Sequence, residues 1–385
     1  MTIPVSVYKA GKVAEDLKSS KENIDTNAVI RRAMEEGRKS GKGLFRQLSE
    51  YLRLLRTPGG LDFKDYYVYQ LYDDSRYSFA EKQRFVSDRF YFKIVEKCCD
   101  KRWWILADDK YWADTVLRAN GFPVAETQAV FCDGDREFGN VPTLHDTDEL
   151  ERFFSQDARF PVYSKPVNGI GSFGNFLIEG MEDSSLRFHD GSRMPVSDFA
   201  PQIERSIGQL FQSTLLSHTD LADICSRVST IRVILIIRNG EVRILNTVWK
   251  VPSSQNLADN FWRDGNCLGS VSSTTGVVER VVGYVDRIVT EIGPETAQGS
   301  AMLGRQLPCW QEVIDLCEEG ARIFAPLRFQ SWDIALAESG PVVVEVNPGS
   351  SFILSQLASG KGFLTDEFLE FLLENGCKIK RFATQ

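Results

Sequence analysis

The sequence predicts an α+β protein in which a helical N-terminal region precedes two lobes of sheet and helix. Apolar residues recur at helical intervals from residue 12 to residue 56, and Pro58-Gly59-Gly60 then interrupts the pattern. Beyond residue 123, short apolar runs bounded by turn residues alternate with helical patterns. Two pairs of these runs are joined by hairpin signals, at 238–241 and at 338–341, so we expect substantially antiparallel pairing.

The elements follow from these patterns in chain order. The aromatic-rich stretch 66–99 is amphipathic and is expected to pack into a core. Strands are predicted at 160–163, 175–178, 231–237, 242–248, 333–336 and 342–346. Short helices are predicted at 146–155, 204–216, 310–324 and 366–374. Since 385 residues exceed the usual size of one compact domain, we predict a helical region 1–105 and two lobes, 106–215 and 216–385.

Composition excludes several classes of function. A net charge of -8 is unfavourable for a nucleic-acid binder, which needs a basic face. No apolar run is long enough to span a membrane and the N-terminus lacks a secretory apolar segment, so we expect no membrane insertion and a cytoplasmic location. The eight cysteines show no metal-like spacing, and the three histidines do not cluster. Any metal is therefore expected to have oxygen ligands.

The last predicted hairpin carries the strongest chemical signal. Glu345 and Asn347 lie two residues apart in a strand, so they share one face, while Val344 and Val346 are expected to point into the core. Pairing across the turn brings Asp333 alongside them. Two carboxylates and an amide oxygen on one face favour Mg²⁺, or Mn²⁺, with phosphate oxygens completing the shell. The alternative is a solvated strand face with scattered acids.

A second signal is a strand that ends at Lys165 and runs into a glycine loop containing Gly169, Gly171 and Ser172. Backbone N–H groups of such a loop approach phosphate oxygens closely, and the lysine supplies positive charge. Lys110 adds a second cation after an apolar run. Taken alone this signal is weak, because glycine-rich hairpins without ligands are common and the spacing matches no standard nucleotide motif.

Arg232 lies near the start of a strand rich in β-branched residues. It is suited to bidentate hydrogen bonding with a phosphate or carboxylate, or alternatively to a salt bridge at the strand edge. Downstream, residues 257–266 are polar, aromatic and rich in turn residues, and the segment is typical of a site loop.

In this order the motifs resemble those of the ATP-grasp superfamily, most closely its sugar-transfer-associated branch, across residues 62–370. The motifs that carry the resemblance are Asp109-Lys110, Gly121-Phe122-Pro123, Ser164-Lys165-Pro166 with its glycine loop, Thr230-Ile231-Arg232, Asp259-Asn260-Phe261, Trp332-Asp333-Ile334-Ala335 and Glu345-Val346-Asn347-Pro348. The resemblance implies an ATP-grasp fold of two α+β lobes that clasp ATP, with Mg²⁺ as the metal.

The resemblance also implies roles for individual residues. Asp333, Glu345 and Asn347 match the magnesium ligands, and Arg232, Lys165 and Asn260 are the candidate catalytic residues. The candidate nucleotide-binding residues are Lys110, Lys165, Gly169, Gly171, Ser172, Gln212, Ser213, Leu215 and Asp220. Among these, residues 211–215 resemble the hinge that contacts adenine, and Asp220 is a candidate for the ribose. Ser331 departs from the family pattern, which has an arginine there, and Arg328 and Arg263 are candidates for the missing charge.

The chemistry implied by the resemblance is ATP-dependent joining of a carboxylate to an amine through an acyl phosphate. The expected substrate is a carboxylated sugar, amino acid or glycan precursor, and the branch name implies sugar-transfer enzymes as pathway partners. Three alternatives stay open: a kinase-like phosphotransferase, a ligase with a thiol or hydroxyl acceptor, and a non-catalytic nucleotide-binding or scaffolding protein. The N-terminal region is a candidate for capping the substrate cleft or for forming a homodimer.

Overall fold

The computed structural model describes residues 26–39, 41–169, 174–253, 256–257, 259–285 and 288–379. Within these ranges the protein is α+β with two seven-stranded sheets, as the sequence predicts. The helices are α1 Thr26–Lys39, α2 Leu44–Leu54, α3 Phe63–Val68, α4 Phe79–Lys82, α5 Tyr91–Cys98, α6 Ile105–Asp108, α7 Lys110–Ala119, α8 Thr147–Arg152, α9 Val196–Phe199, α10 Ala297–Met302, α11 Trp310–Ile323, α12 Phe352–Ser359 and α13 Asp366–Glu374. The strands are β1 Thr127–Phe131, β2 Thr143–Leu144, β3 Val162–Pro166, β4 Phe176–Glu182, β5 Ser185–Phe188, β6 Arg193–Pro195, β7 Gln209–Ser213, β8 Thr230–Arg238, β9 Glu241–Val251, β10 Cys267–Val271, β11 Val278–Val285, β12 Ile288–Glu291, β13 Phe329–Ala337 and β14 Gly340–Pro348.

The described chain separates by its contacts into two compact units. The first unit contains residues 109–119 and 123–216, and the second contains 26–108, 120–122 and 217–379. The boundaries drawn from the sequence at residues 105 and 215 stay a prediction. None of the helices in the described ranges is both long and apolar enough to cross a bilayer.

The first unit is built on the sheet β2-β1-β7-β3-β4-β5-β6, in which only the β1–β2 pair is parallel. One face is covered by a phenylalanine-rich core that includes residues of α8 and α9, among them Leu150 and Phe199. On the other face, Leu210 of β7 belongs to a smaller cluster against which Tyr111 of α7 packs. Helix α7 therefore covers the face opposite the main core.

Strand β7 corrects the helix predicted at 204–216. Ile207, Leu210, Phe211 and Leu215 follow helical spacing, which favoured that prediction. The segment instead forms a central strand, hydrogen-bonded to β1 on one side and β3 on the other, and it is buried on both faces. Such strands lack polar alternation, so a short apolar run of this kind cannot be separated from a helix by period alone.

The second unit contains the sheet β12-β11-β10-β9-β8-β13-β14, antiparallel at every pairing. Both predicted hairpins are confirmed, β8–β9 at Asn239-Gly240 and β13–β14 at residues 338–339. Helix α11 packs on one face, where Gly320 lies so close to the Trp332 ring that a Cβ would stand 2.5 Å from it. Even-numbered β13 residues therefore face α11, and Ser331 and Asp333 face the opposite side.

The described N-terminal helices belong to this second unit, and α2 ends at Leu54, just before the predicted break. Helix α3 begins with a reciprocal capping box. The Asp65 backbone N–H donates to Asp62 Oδ1 at 2.9 Å, and the Asp62 N–H donates to Asp65 Oδ2 at 2.9 Å. Burial raises the pKa of Asp65 to about 6, although hydrogen bonds from Ser87 and from the Asp62 N–H act to lower it.

The raised pKa of Asp65 predicts a pH-dependent stability. The folded state binds a proton more tightly than the unfolded state, so this residue favours folding below pH 4 and loses that contribution as pH rises through 6. From pH 4 to pH 7, this residue should lower the unfolding free energy of the wild type by on the order of 2 kcal/mol, and Asp65→Asn should lack that decrease. Urea unfolding at both pH values tests this. Glu81→Gln, in the exposed capping box of α4, is the control, and equal pH profiles for Asp65→Asn and wild type would contradict the assignment.

Candidate nucleotide and metal site

Two lysines meet at the start of the glycine loop in the first unit. Lys110 opens α7, and its backbone N–H donates to the Val167 carbonyl at 3.0 Å while its Nζ donates to the Gly169 carbonyl at 2.7 Å. Lys165 lies near the end of β3 and is 5% exposed, and its register partner on β7 is Leu210. Because Val162 belongs to the main core, strand alternation places Lys165 on the face that α7 covers.

Gln212 and a carboxylate that the sequence analysis missed lie on this same face. Gln212 Nε2 donates to Asp114 Oδ2 at 2.9 Å and to Thr127 Oγ1 at 3.1 Å. Burial raises the pKa of Asp114, although the positive charge of Lys165 opposes the shift. The available signal was the spacing of Asp114 from Lys110, four residues on, which places both on one side of α7.

The other predicted nucleotide residues are placed less closely together. The Ser213 hydroxyl accepts a hydrogen bond from Gln128 Nε2 at 3.2 Å, and Leu215 is half-buried after β7. Asp220 belongs to the second unit, where its side chain is exposed in a 3₁₀ turn. Gly171 and Ser172 lie outside the described residues. The roles of all these residues stay predictions.

In the second unit, three neighbouring strands bring Arg232, Asp333 and Glu345 side by side. Asp333 is the register partner of Arg232 on β8 and of Glu345 on β14. The Arg232 guanidinium grips the Asp333 carboxylate with two hydrogen bonds, Nε to Oδ1 at 2.9 Å and Nη2 to Oδ2 at 2.7 Å. A register shift follows Asp333, which leaves Val344 half-buried rather than in the core as predicted, whereas Val346 is buried.

Lys250 is the member of this cluster that the sequence analysis missed. It lies on β9, and its Nζ is 3.2 Å from Asp333 Oδ2 and 3.5 Å from Asp259 Oδ2. Asp259 also accepts a hydrogen bond from the Thr230 hydroxyl. The side chains of Lys250 and Asp333 are 9% and 5% exposed. The available signal was a lysine inside the apolar run Val248-Trp249-Lys250-Val251, where a charge needs a partner.

The electrostatics of this cluster couple its members tightly. Burial acts to raise the pKa of Asp333, but the charges of Arg232 and Lys250 outweigh burial and hold the pKa well below its usual value. Burial acts to lower the pKa of Arg232, and the charges of Asp333, Glu345 and Asp259 more than reverse that effect. Three carboxylates and two cations thus act on one another in this cluster.

Three further predicted residues have defined surroundings. Asn347 is the register partner of Ser331 and is half-buried. Asn260 shapes the loop before β10, because its side-chain oxygen accepts the Trp262 N–H at 3.2 Å. The Arg328 guanidinium donates to Asn375 Oδ1 at 2.7 Å. Arg232 and Lys250, rather than Arg328, are the cations found in contact with Asp333.

The residues present fit a magnesium ion. Asp333, Glu345 and Asn347 offer two carboxylates and an amide oxygen on adjoining strands, and hard oxygen donors of this kind favour a magnesium ion. Among the described residues, histidine, cysteine and carboxylate side chains form no group of three arranged to hold a metal by themselves. This donor set therefore leaves ligand positions for phosphate oxygens, which magnesium commonly takes.

The chain belongs to the sugar-transfer-associated ATP-grasp family, whose model matches residues 90–369. Among curated proteins, none matches the sequence significantly.

Three solved structures illustrate the structural matches. VanG D-Ala:D-Ser ligase from Enterococcus faecalis is 13% identical, with a TM-score of 0.40 over 72% of this chain and 64% of that one. N5-carboxyaminoimidazole synthase from Aspergillus clavatus is 11% identical, with a TM-score of 0.37 over 69% and 51%. D-alanyl-alanine synthetase A from Vibrio cholerae is 13% identical, with a TM-score of 0.42 over 72% and 67%. The chain thus spans less than two thirds of the first two proteins.

Proposed function

We propose that this protein is an ATP-dependent, ADP-forming ligase that joins a carboxylate to an amine. The observation that carries the proposal is the cluster of Arg232, Lys250 and Asp333 on adjoining strands, with Glu345 beside Asp333. Buried ion pairs add little net stability, because desolvation offsets their attraction. A cluster of ionised side chains buried to this degree is therefore better explained by a charged ligand than by stability.

Each unit by itself carries groups suited to phosphate oxygens. In the first unit, Lys110 and Lys165 provide positive charge beside the glycine loop. In the second, Arg232 provides a planar fork that suits phosphate oxygens, and Lys250 provides a compact charge. Asp333, Glu345 and Asn347 would hold magnesium, which when bound would neutralise negative charge on the phosphates.

The reaction needs positioning and charge neutralisation rather than a protein nucleophile. A carboxylate oxygen of the substrate attacks the γ-phosphorus of ATP, forming an acyl phosphate and releasing ADP. The amine then attacks the acyl carbon and loses a proton, and phosphate leaves as the amide forms. Arg232 and Lys250 stabilise the negative charge on the transferred group.

The carboxylate substrate is proposed to be a sugar acid, amino acid or glycan precursor. Support comes from the description of the family as sugar-transfer-associated. Proposed partners are sugar-transfer enzymes of the same pathway.

Product analysis with Mg-ATP tests the proposal. The full chain is incubated with pooled sugar acids and amino acids, singly and in pairs, and ADP and phosphate are measured. We expect both products only when an acid and an amine are present together. ADP with a stably phosphorylated acceptor would instead indicate a phosphotransferase, and ATP binding without turnover in any pool would count against catalysis.

A further inference from the structure

Helix α2 turns its apolar side outward. Leu44, Phe45, Leu48 and Leu52 are exposed along one side, and Leu55 continues this stripe after the helix ends. Phe45 is 90% exposed. Gln47 and Leu54 are buried on the opposite side, where Glu50 also points inward. A surface helix normally buries its apolar side and exposes its polar side, whereas α2 exposes most of its large apolar residues.

A buried polar network fixes α2 in this orientation. Glu50 accepts hydrogen bonds from the fully buried Lys82 Nζ at 3.0 Å, from Lys42 Nζ at 2.6 Å and from the Tyr66 hydroxyl at 2.7 Å. Gln47 accepts the Tyr67 hydroxyl at 3.0 Å. Rolling the helix to bury its leucines would break these bonds and take Glu50 away from the buried Lys82, which also pairs with Asp74. The outward stripe is therefore a stable feature of the fold.

The exposed stripe is flanked by positive charge. Arg46, Arg53 and Arg56 are exposed on or next to α2. Residues 26–57 contain eight lysines and arginines against three acids, whereas the whole chain has a net charge of -8. This local reversal of sign favours an anionic partner.

We propose that α2 binds the surface of an anionic lipid bilayer. An exposed leucine and phenylalanine stripe beside arginines is the pattern of a helix that lies in the headgroup region. Eleven residues make a helix of roughly 16 Å, too short to cross a bilayer but suited to lying on one. In a two-fold dimer formed through this stripe, the same arginines would face each other, so a lipid surface fits better than a second copy.

Vesicle co-sedimentation of the full chain tests the proposal. We expect at least tenfold stronger binding to phosphatidylcholine vesicles containing about 30 mol% phosphatidylglycerol than to pure phosphatidylcholine vesicles. Salt at about 0.5 M should weaken that binding several-fold, because surface charges are then screened. The double variant Phe45→Ser, Leu48→Ser should lose at least tenfold in binding, and Arg46→Gln, Arg56→Gln should lose at least fivefold on anionic vesicles only.

Phe92→Ser is the matched control, because Phe92 is 66% exposed on a different helix, α5. It should bind anionic vesicles like the wild type. Far-UV circular dichroism and the melting temperature confirm that each variant is folded, and the arginine variants test the proposal independently if the serine variant unfolds. Unchanged binding in both double variants would overturn the proposal. So would wild-type dimers that bind no vesicles and that become monomers in the serine variant, since a second copy would then cover the stripe.

Discussion

Glu345→Gln is expected to abolish magnesium-dependent ATP turnover and to leave the fold intact. Glutamine keeps the size of the side chain and one oxygen but loses the charge that a magnesium ligand contributes. The backbone pairing of residue 345 with Asp333 does not depend on that charge. We expect kcat to fall by roughly 10²–10³ or more, as when an electrostatic stabiliser is removed from an active site.

Binding measurements separate the metal role from a general defect. Wild-type protein should bind ATP more tightly with Mg²⁺ than with EDTA by calorimetry, and Glu345→Gln should lose most of that difference. Glu338→Gln provides the control, because Glu338 is an exposed acid at the turn of the same hairpin. Full turnover by Glu345→Gln would remove Glu345 from the metal assignment.

Local patterns were sufficient to predict the two hairpins that carry Arg232, Asp333 and Glu345. Asn239-Gly240 permits the positive φ angles that a tight turn requires, and both residues adopt them, at 55° and 81°. The alternation of residues 345 and 347 then placed two polar side chains on one face. The predicted turn brought Asp333 alongside this strand, but its pairing with Glu345 depends on the register shift after Asp333, which the sequence did not reveal.

What the sequence did not reveal depends on contacts distant in the chain. Lys250 is 83 residues from Asp333, and its position in an apolar run indicates that it needs a partner but not which residue that partner is. Asp114 and Gln212 are hydrogen-bonded because β7, which lies beside β3, places Gln212 on the face of the sheet that α7 covers. The error at β7 has the same origin, since burial on both faces removes the alternation that identifies a strand.

Asp333→Asn should lower the free energy of unfolding by about 3 kcal/mol, because it leaves Arg232 and Lys250 in a largely buried site without their main partner. Their side chains are 17% and 9% exposed, so water compensates little for the lost charge. Asparagine keeps the shape of the side chain but accepts only one hydrogen bond from the guanidinium fork. Urea unfolding followed by tryptophan fluorescence monitors this unit, since Trp249 and Trp332 are buried in it.

Asp223→Asn is the matched control, because Asp223 also binds an arginine with two hydrogen bonds, to Arg305 at 2.7 and 2.6 Å. Asp223 is exposed, so its loss should cost less than about 1 kcal/mol. Equal effects of the two substitutions would show that the Asp333 site is not desolvated. The double variant Arg232→Gln, Asp333→Asn provides a further test. It lacks the unpaired charge that Asp333→Asn leaves on Arg232, so its loss of unfolding free energy should be smaller than the summed losses of the two single variants. Additive effects would mean that the charge left on Arg232 is not what destabilises Asp333→Asn.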